Sequence, residues 1–140
     1  MNPGTKFTKV PPRTLHVPLG SAARFHWEFK FGDATDWNYF DEIIWGKTDN
    51  NEYLRTKYIT LVKKSGNLQL NPILDDSVKS RARWTGNITQ QQGYRVVFIL
   101  RNVSKLDQTT YGCTSSVWGE EVRDGPIHLV VTGECAGFDI

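Results

Sequence analysis

Cysteine is scarce in this chain: Cys113 and Cys135 are its whole complement in 140 residues. Two thiols cannot build a disulfide scaffold, and neither stands at a zinc-ligand spacing from other donors. Long apolar runs are also missing, and no stretch approaches the roughly eighteen residues of a membrane-spanning helix. Met1-Asn2-Pro3-Gly4 has no apolar segment behind it of the kind a signal peptide needs. An excess of one charge is absent too. The net charge is only +2, with basic residues scattered among acids, which argues against a nucleic-acid partner.

Catalytic signatures are equally lacking. There is no G-x-S-x-G, no H-E-x-x-H and no phosphate-cradling glycine loop. His16, His26 and His128 fall in three separate strand-like segments at polar positions, whereas catalysis needs a nucleophile, a base and a stabiliser that converge. Asp75-Asp76 and Glu120-Glu121 lack metal-ligand spacing. The expectation is a protein without catalytic residues, metal or small-molecule cofactor. Its length and its 39% hydrophobic, 23% charged composition suit one globular domain with a buried core.

What the chain has is strand pattern. Ala23, Phe25, Trp27 and Phe29 alternate with Arg24, His26, Glu28 and Lys30, a period of two with one apolar face. Leu15, Val17 and Leu19 alternate with His16 and Pro18, which suits an edge strand where proline costs no ladder bond. Residues 1–14, with Pro3, Pro11 and Pro12, read as a loose leader. Gly32 to Asp41 reads as a polar loop, followed by Ile43-Ile44-Trp45-Gly46-Lys47. Tyr53 to Val62 and Leu68-Gln69-Leu70 supply two further strands around a turn at Gly66-Asn67. Ala82 and Trp84 are expected inward on the next strand, and Val96, Phe98 and Leu100 on the one after. Cys113, Ser115 and Val117 point inward before a loop at Gly119–Gly125, and Ile127, Leu129 and Val131 after it. A hairpin centred in that loop sets about residue 131 beside Cys113.

The stretch Leu106-Asp107-Gln108-Thr109-Thr110-Tyr111-Gly112-Cys113 has the form L-D-x-x-x-Y-x-C. With Arg81, Trp84 and the strand 96–100 upstream, it resembles strands D, E and F of a variable-type (V-set) immunoglobulin domain. Ile43-Ile44-Trp45-Gly46-Lys47 is similar to that family's I-x-W-x-K, with Trp45 as the core tryptophan. The resemblance implies an all-β, two-sheet Greek-key sandwich over residues 15–133, with 134–140 starting a linker to a following domain. It also implies that Arg81 pairs with Asp107 and that Tyr111 closes a tyrosine corner. Trp27 stands where the family places the first cysteine of its inter-sheet bridge, so Cys113 lacks its usual partner. Losing such a bridge costs about 2–5 kcal/mol. A buried Trp of about 200 Å² contributes on the order of 5 kcal/mol, so Trp27 is read as a packing substitute.

The resemblance further implies an extracellular cell–cell recognition or adhesion domain, cut from the ectodomain of a type I membrane receptor and binding a protein. An absent strand-B cysteine beside an intact Tyr111, Cys113 and Trp45 resembles the divergent domains of invertebrate recognition receptors, such as the allorecognition receptors of colonial hydroids. In that family the partner is the same receptor on an opposing cell, or a related immunoglobulin domain. A heterophilic immune-type receptor or decoy is the alternative. A carbohydrate-binding sandwich is a third, with Trp37-Asn38-Tyr39 as its only candidate platform.

Asn87-Ile88-Thr89 and Asn102-Val103-Ser104 match the N-glycosylation sequon. They are either glycan carriers shielding one sheet or plain turn asparagines. Strand parity turns Ile44, Gly46, Thr114, Ser116, Trp118, His128 and Val130 outward on the opposite sheet. With Tyr53 and Tyr58 beside them, these residues form the expected apolar-aromatic binding face.

Overall fold

The computed structural model describes residues 4–49, 53–64, 67–71, 76, 78–88 and 92–133. Among them, ten strands form two sheets with no α-helix. The strands are β1 (Lys6–Lys9), β2 (Thr14–Pro18), β3 (Ala23–Lys30), β4 (Phe40–Thr48) and β5 (Leu54–Lys64), then β6 (Asn67–Leu70), β7 (Ala82–Ile88), β8 (Gly93–Leu100), β9 (Thr110–Val117) and β10 (Glu120–Thr132). One sheet runs β1-β3-β8-β7 and the other β2-β10-β9-β4-β5-β6. Every pairing is antiparallel except β2 with β10. This is the variable-type immunoglobulin sandwich, whose six-stranded sheet carries in β5 and β6 the two strands that the constant type lacks.

The leader expected over residues 1–14 is not uniformly loose. Lys6–Lys9 pairs with β3 at the edge of the four-stranded sheet, and Thr5 is buried. Pro11 and Pro12 then interrupt the ladder, since neither can donate a hydrogen bond. At that break the chain leaves one sheet and rejoins the other as β2. The prolines mark a change of sheet rather than disorder. Pro18 does sit on an edge strand.

The stretch expected as a loop at Gly119–Gly125 is strand from Glu120 onward. Val117 pairs with Glu120, and only Trp118 (φ 59°) and Gly119 (φ 75°) lie between them. Two successive left-handed residues are the signature of a type I′ hairpin, whose twist matches that of the strands it joins. The ladder continues to Asp124, which lies opposite Cys113. The residue beside Cys113 is thus Asp124 rather than one near 131, because the turn falls earlier than expected. Cys135 lies outside the described residues.

The core is dominated by rings. Trp45 stacks on Phe98 at 5.3 Å and on Tyr111 at 5.9 Å, and meets Tyr58 edge-on at 5.4 Å. Val96, Phe98, Leu100, Cys113, Ser115, Val117, Ile127, Leu129 and Val131 are all buried. Trp84 is half-buried, packed against the core's margin. Trp27 is fully buried, and its indole N–H crosses between the sheets to donate to Asp124 Oδ2 at 2.8 Å. Arg13 holds the same carboxylate from outside at 3.0 Å. An inter-sheet hydrogen bond therefore accompanies the packing of Trp27, at the residue opposite Cys113.

Cys113 is a buried free thiol, and burial pushes its pKa well up. The thiolate is the nucleophile, so alkylation of the native protein at neutral pH should leave Cys113 unlabelled. Peptide mass mapping before and after unfolding checks this. Native labelling at Cys113 would show that the core opens there.

At the other end of the sandwich, Arg81 grips Asp107 through two bonds of 2.9 Å each. Asp107 also accepts from the Ser104 backbone N–H at 2.9 Å, closing a capping box around the 3₁₀ turn Lys105–Asp107. The Tyr111 hydroxyl donates to the Asp107 carbonyl at 2.7 Å, which is the tyrosine corner.

Candidate binding interface

The outer face of the six-stranded sheet is laid out in rows by its register. One row runs Glu121, Ser116, Glu42, Val62 across β10, β9, β4 and β5. The next runs Arg123, Thr114, Ile44, Thr60, and a third runs Gly112, Gly46, Lys57. Side chains two apart on a strand share a face, so these rows are neighbours. Between them lies a depression of about 150 Å³ with Ile44 and Thr114 among its lining residues, ringed by Glu42, Glu121, Lys57, Arg123 and Tyr53.

This is not the apolar-aromatic patch expected from parity. Ile44 lines the outer face yet is buried, at 5% exposure, and Thr114 is buried beside it. Longer neighbours close over both. Gly46 is buried because the β5 backbone presses on it: a Cβ there would stand 1.9 Å from the Thr56 carbonyl oxygen. Replacing Gly46 with Ala should therefore cost about 2 kcal/mol of stability, by overpacking against backbone that cannot yield. A denaturation midpoint equal to wild type would contradict that contact.

Tyr58 points into the core rather than outward. The β4–β5 register shifts between Trp45–Ile59 and Gly46–Lys57, leaving Tyr58 as the extra residue of a β-bulge. Counting alternate residues fails across a bulge, and Tyr58 packs on Trp45 and Tyr111. Tyr53 is the aromatic that stays out, at 51% exposure. Its ring carries the Arg123 guanidinium at 3.9 Å. That contact reaches from the start of β5 to β10, across the two strands where Gly46 and Gly112 face each other without side chains.

Ser116 is half-buried in the acidic row. His128 is exposed and Val130 half-buried, on the part of β10 that pairs with β2. A second register shift, between Asp124 and Ile127, separates them from Arg123. The expected contiguity of Ile44, Trp118 and Val130 is therefore broken.

Trp118 does not line the sheet. It stands at the hairpin tip, stacked on Tyr39 with ring centroids 3.6 Å apart, and its indole N–H donates to Asp36. Asp36 is buried and also accepts from the Thr5 hydroxyl and from the Gly32 N–H at 2.9 Å. One carboxylate thus ties the N-terminal strand, the loop after β3 and the β9–β10 turn together. Burial alone raises the pKa of Asp36, but the bonds from Thr5, Trp118 and the backbone outweigh it and hold the carboxyl below its usual range. Trp37, the other aromatic of that loop, is buried under Lys63 and so is withdrawn from any glycan platform.

With its folded-state pKa depressed, Asp36 stays charged in the native state after the unfolded chain has begun to bind the proton. Its stabilisation is present above about pH 4, and is lost as pH falls through the folded value. The acid limb of a stability–pH profile should therefore be shallower for Asp36→Asn than for wild type. Parallel acid limbs would remove Asp36 from the linkage.

Asn87 is exposed on β7, and Asn102 is exposed just after β8 with φ 51°, so both sequon asparagines belong to the four-stranded sheet. Among the described residues, no cluster of three His, Cys, Asp or Glu is arranged to hold a metal, and no helix is long and apolar enough to cross a membrane. Glu121, weighed from sequence only as half of an acidic pair, and Arg123, Glu42 and Lys57 were not expected on the binding face. Glu42 is visible in hindsight as the residue two before Ile44. Glu121 and Arg123 were hidden by taking their strand for a loop.

No family model matches this sequence, and no curated protein matches it. Among the solved chains that match in fold is a marsupial T cell receptor, with TM-score 0.61 and 16% identity over 91% of this chain. This chain spans 53% of that receptor chain. Identity this low establishes the sandwich and leaves function to the site itself.

Proposed function

We propose that this is an extracellular cell–cell recognition domain, from a membrane-anchored receptor, that binds homophilically through the outer face of β10, β9, β4 and β5. The observation that carries the reading is the Tyr53–Arg123 stack. It holds an exposed aromatic and a cation beside a depression that Ile44 and Thr114 line among charged residues, and aromatics and arginines are enriched where proteins meet. The position of both sequon asparagines on the other sheet supports the same face. The resemblance to hydroid allorecognition receptors rests on Trp27 replacing a cysteine beside Tyr111, Cys113 and Trp45. It names the same-receptor partner.

Beads carrying many copies of the chain test this, because avidity multiplies a weak contact. Wild-type beads should cluster, and Tyr53→Ala should weaken association by about 2 kcal/mol. Trp118→Ala, at the tip, should leave association within about 1 kcal/mol of wild type. Clustering lost with Trp118→Ala and kept with Tyr53→Ala would move the interface to the tip. Beads that never cluster, yet capture a different purified receptor domain, would make the partner heterophilic.

A further inference from the structure

We infer that two copies of this domain pack with their strands antiparallel, the acidic row of one face against the basic residues of the other. This rests on the homophilic reading above and adds the arrangement. Glu42 and Glu121 are both register partners of Ser116, one on each side, toward the hairpin tip. Arg123 lies one row further from the tip, beside Thr114, and Lys57 one row further again, beside Gly46. Along the strand direction the face therefore passes from acid to base. All four residues ring the same depression, with Ile44 lining it between them.

Copies that meet face to face about a twofold axis have two simple relations. An axis along the strands keeps them parallel and sets Glu42 and Glu121 against their own copies. An axis across the strands reverses one domain, so that residue i meets j and j meets i, and each carboxylate faces a cation twice over. Juxtaposed like charges select against the first. The second is the relation of domains reaching toward each other from opposing surfaces, and the first that of neighbours on one surface. The charge layout thus selects contact between cells over contact within one membrane. Glu121 and Arg123 approach each other within one chain only at the 4.0 Å limit, a weak exposed pair that does not compete strongly with an intermolecular one.

Two half-reversed variants test this on two-colour beads: Glu42→Lys with Glu121→Lys, and Lys57→Glu with Arg123→Glu. Each should lose self-clustering by at least about tenfold in the bead density required, since every facing pair becomes repulsive. Mixed together, the two variants should cluster again, because the reversals complement each other across the interface. Recovery in the mixture also shows that both variants are folded. Half-reversed beads that self-cluster like wild type would overturn the antiparallel register while leaving self-association intact. A mixture that stays dispersed, from variants whose thermal midpoints match wild type, would overturn it as well. Wild-type beads that fail to cluster would overturn the homophilic reading beneath it.

Discussion

Replacing Asp107 with alanine should lower stability by about 3 kcal/mol, the low end for a buried ion pair because Arg81 keeps a quarter of its side chain in water. For a domain of this size that is roughly a 10 °C drop in thermal midpoint. The loss has two sources. Arg81 stays charged but is stranded without its paired carboxylate, and the Ser104 N–H loses its acceptor at the mouth of the 3₁₀ turn. The Tyr111 bond is to the Asp107 backbone carbonyl and survives truncation of the side chain. Asp76→Ala, at an exposed position, should stay within about 0.5 kcal/mol. Equal midpoints for the two variants would remove the ion pair from the account of stability.

Trp27→Ala should be as damaging or worse, at about 4 kcal/mol, the range for a fully buried Trp. Its ring lies parallel to Phe25 at 6.2 Å and meets Phe98 edge-on at 6.1 Å, so truncation opens a cavity between two aromatics. Trp27→Phe separates packing from hydrogen bonding. It keeps most of the ring and loses only the N–H to Asp124, a bond to a charged group expected to contribute about 1.5–3 kcal/mol. Arg13 still reaches that carboxylate, which favours the smaller figure. Urea titration of the three proteins gives both increments. A Trp27→Phe variant as stable as wild type would reduce Trp27 to apolar filler and withdraw the inter-sheet hydrogen bond.

Parity reasoning succeeded wherever a strand was regular. The alternation of Ala23, Phe25, Trp27 and Phe29 and that of Cys113, Ser115 and Val117 gave their burial correctly, because side-chain direction has a period of two in an unbroken ladder. It failed at Tyr58, where one extra residue in β5 reverses inside and outside. The hairpin at Trp118–Gly119 was missed because its first residue is a tryptophan. In that position Asn or Asp is the usual signal, and a bulky side chain at positive φ is costly. Its stack on Tyr39 and its bond to Asp36 sustain the conformation, and neither partner is near it in sequence.

The sequence by itself determined the sandwich, its core and its base. Apolar alternation, Trp45, the Arg81–Asp107 pair and the Tyr111 corner depend on local period and on side-chain chemistry that few other folds can satisfy. Only the tertiary structure decided what the outer face presents. Exposure there depends on which neighbours lean over a residue, and on bulges that add a single residue to one strand. Ile44 points outward and is still buried, whereas Tyr53 reaches across two glycines to Arg123 and stays in water. A face is built from residues brought side by side by strand pairing, so its charge order is a property of the register and cannot be read along the chain.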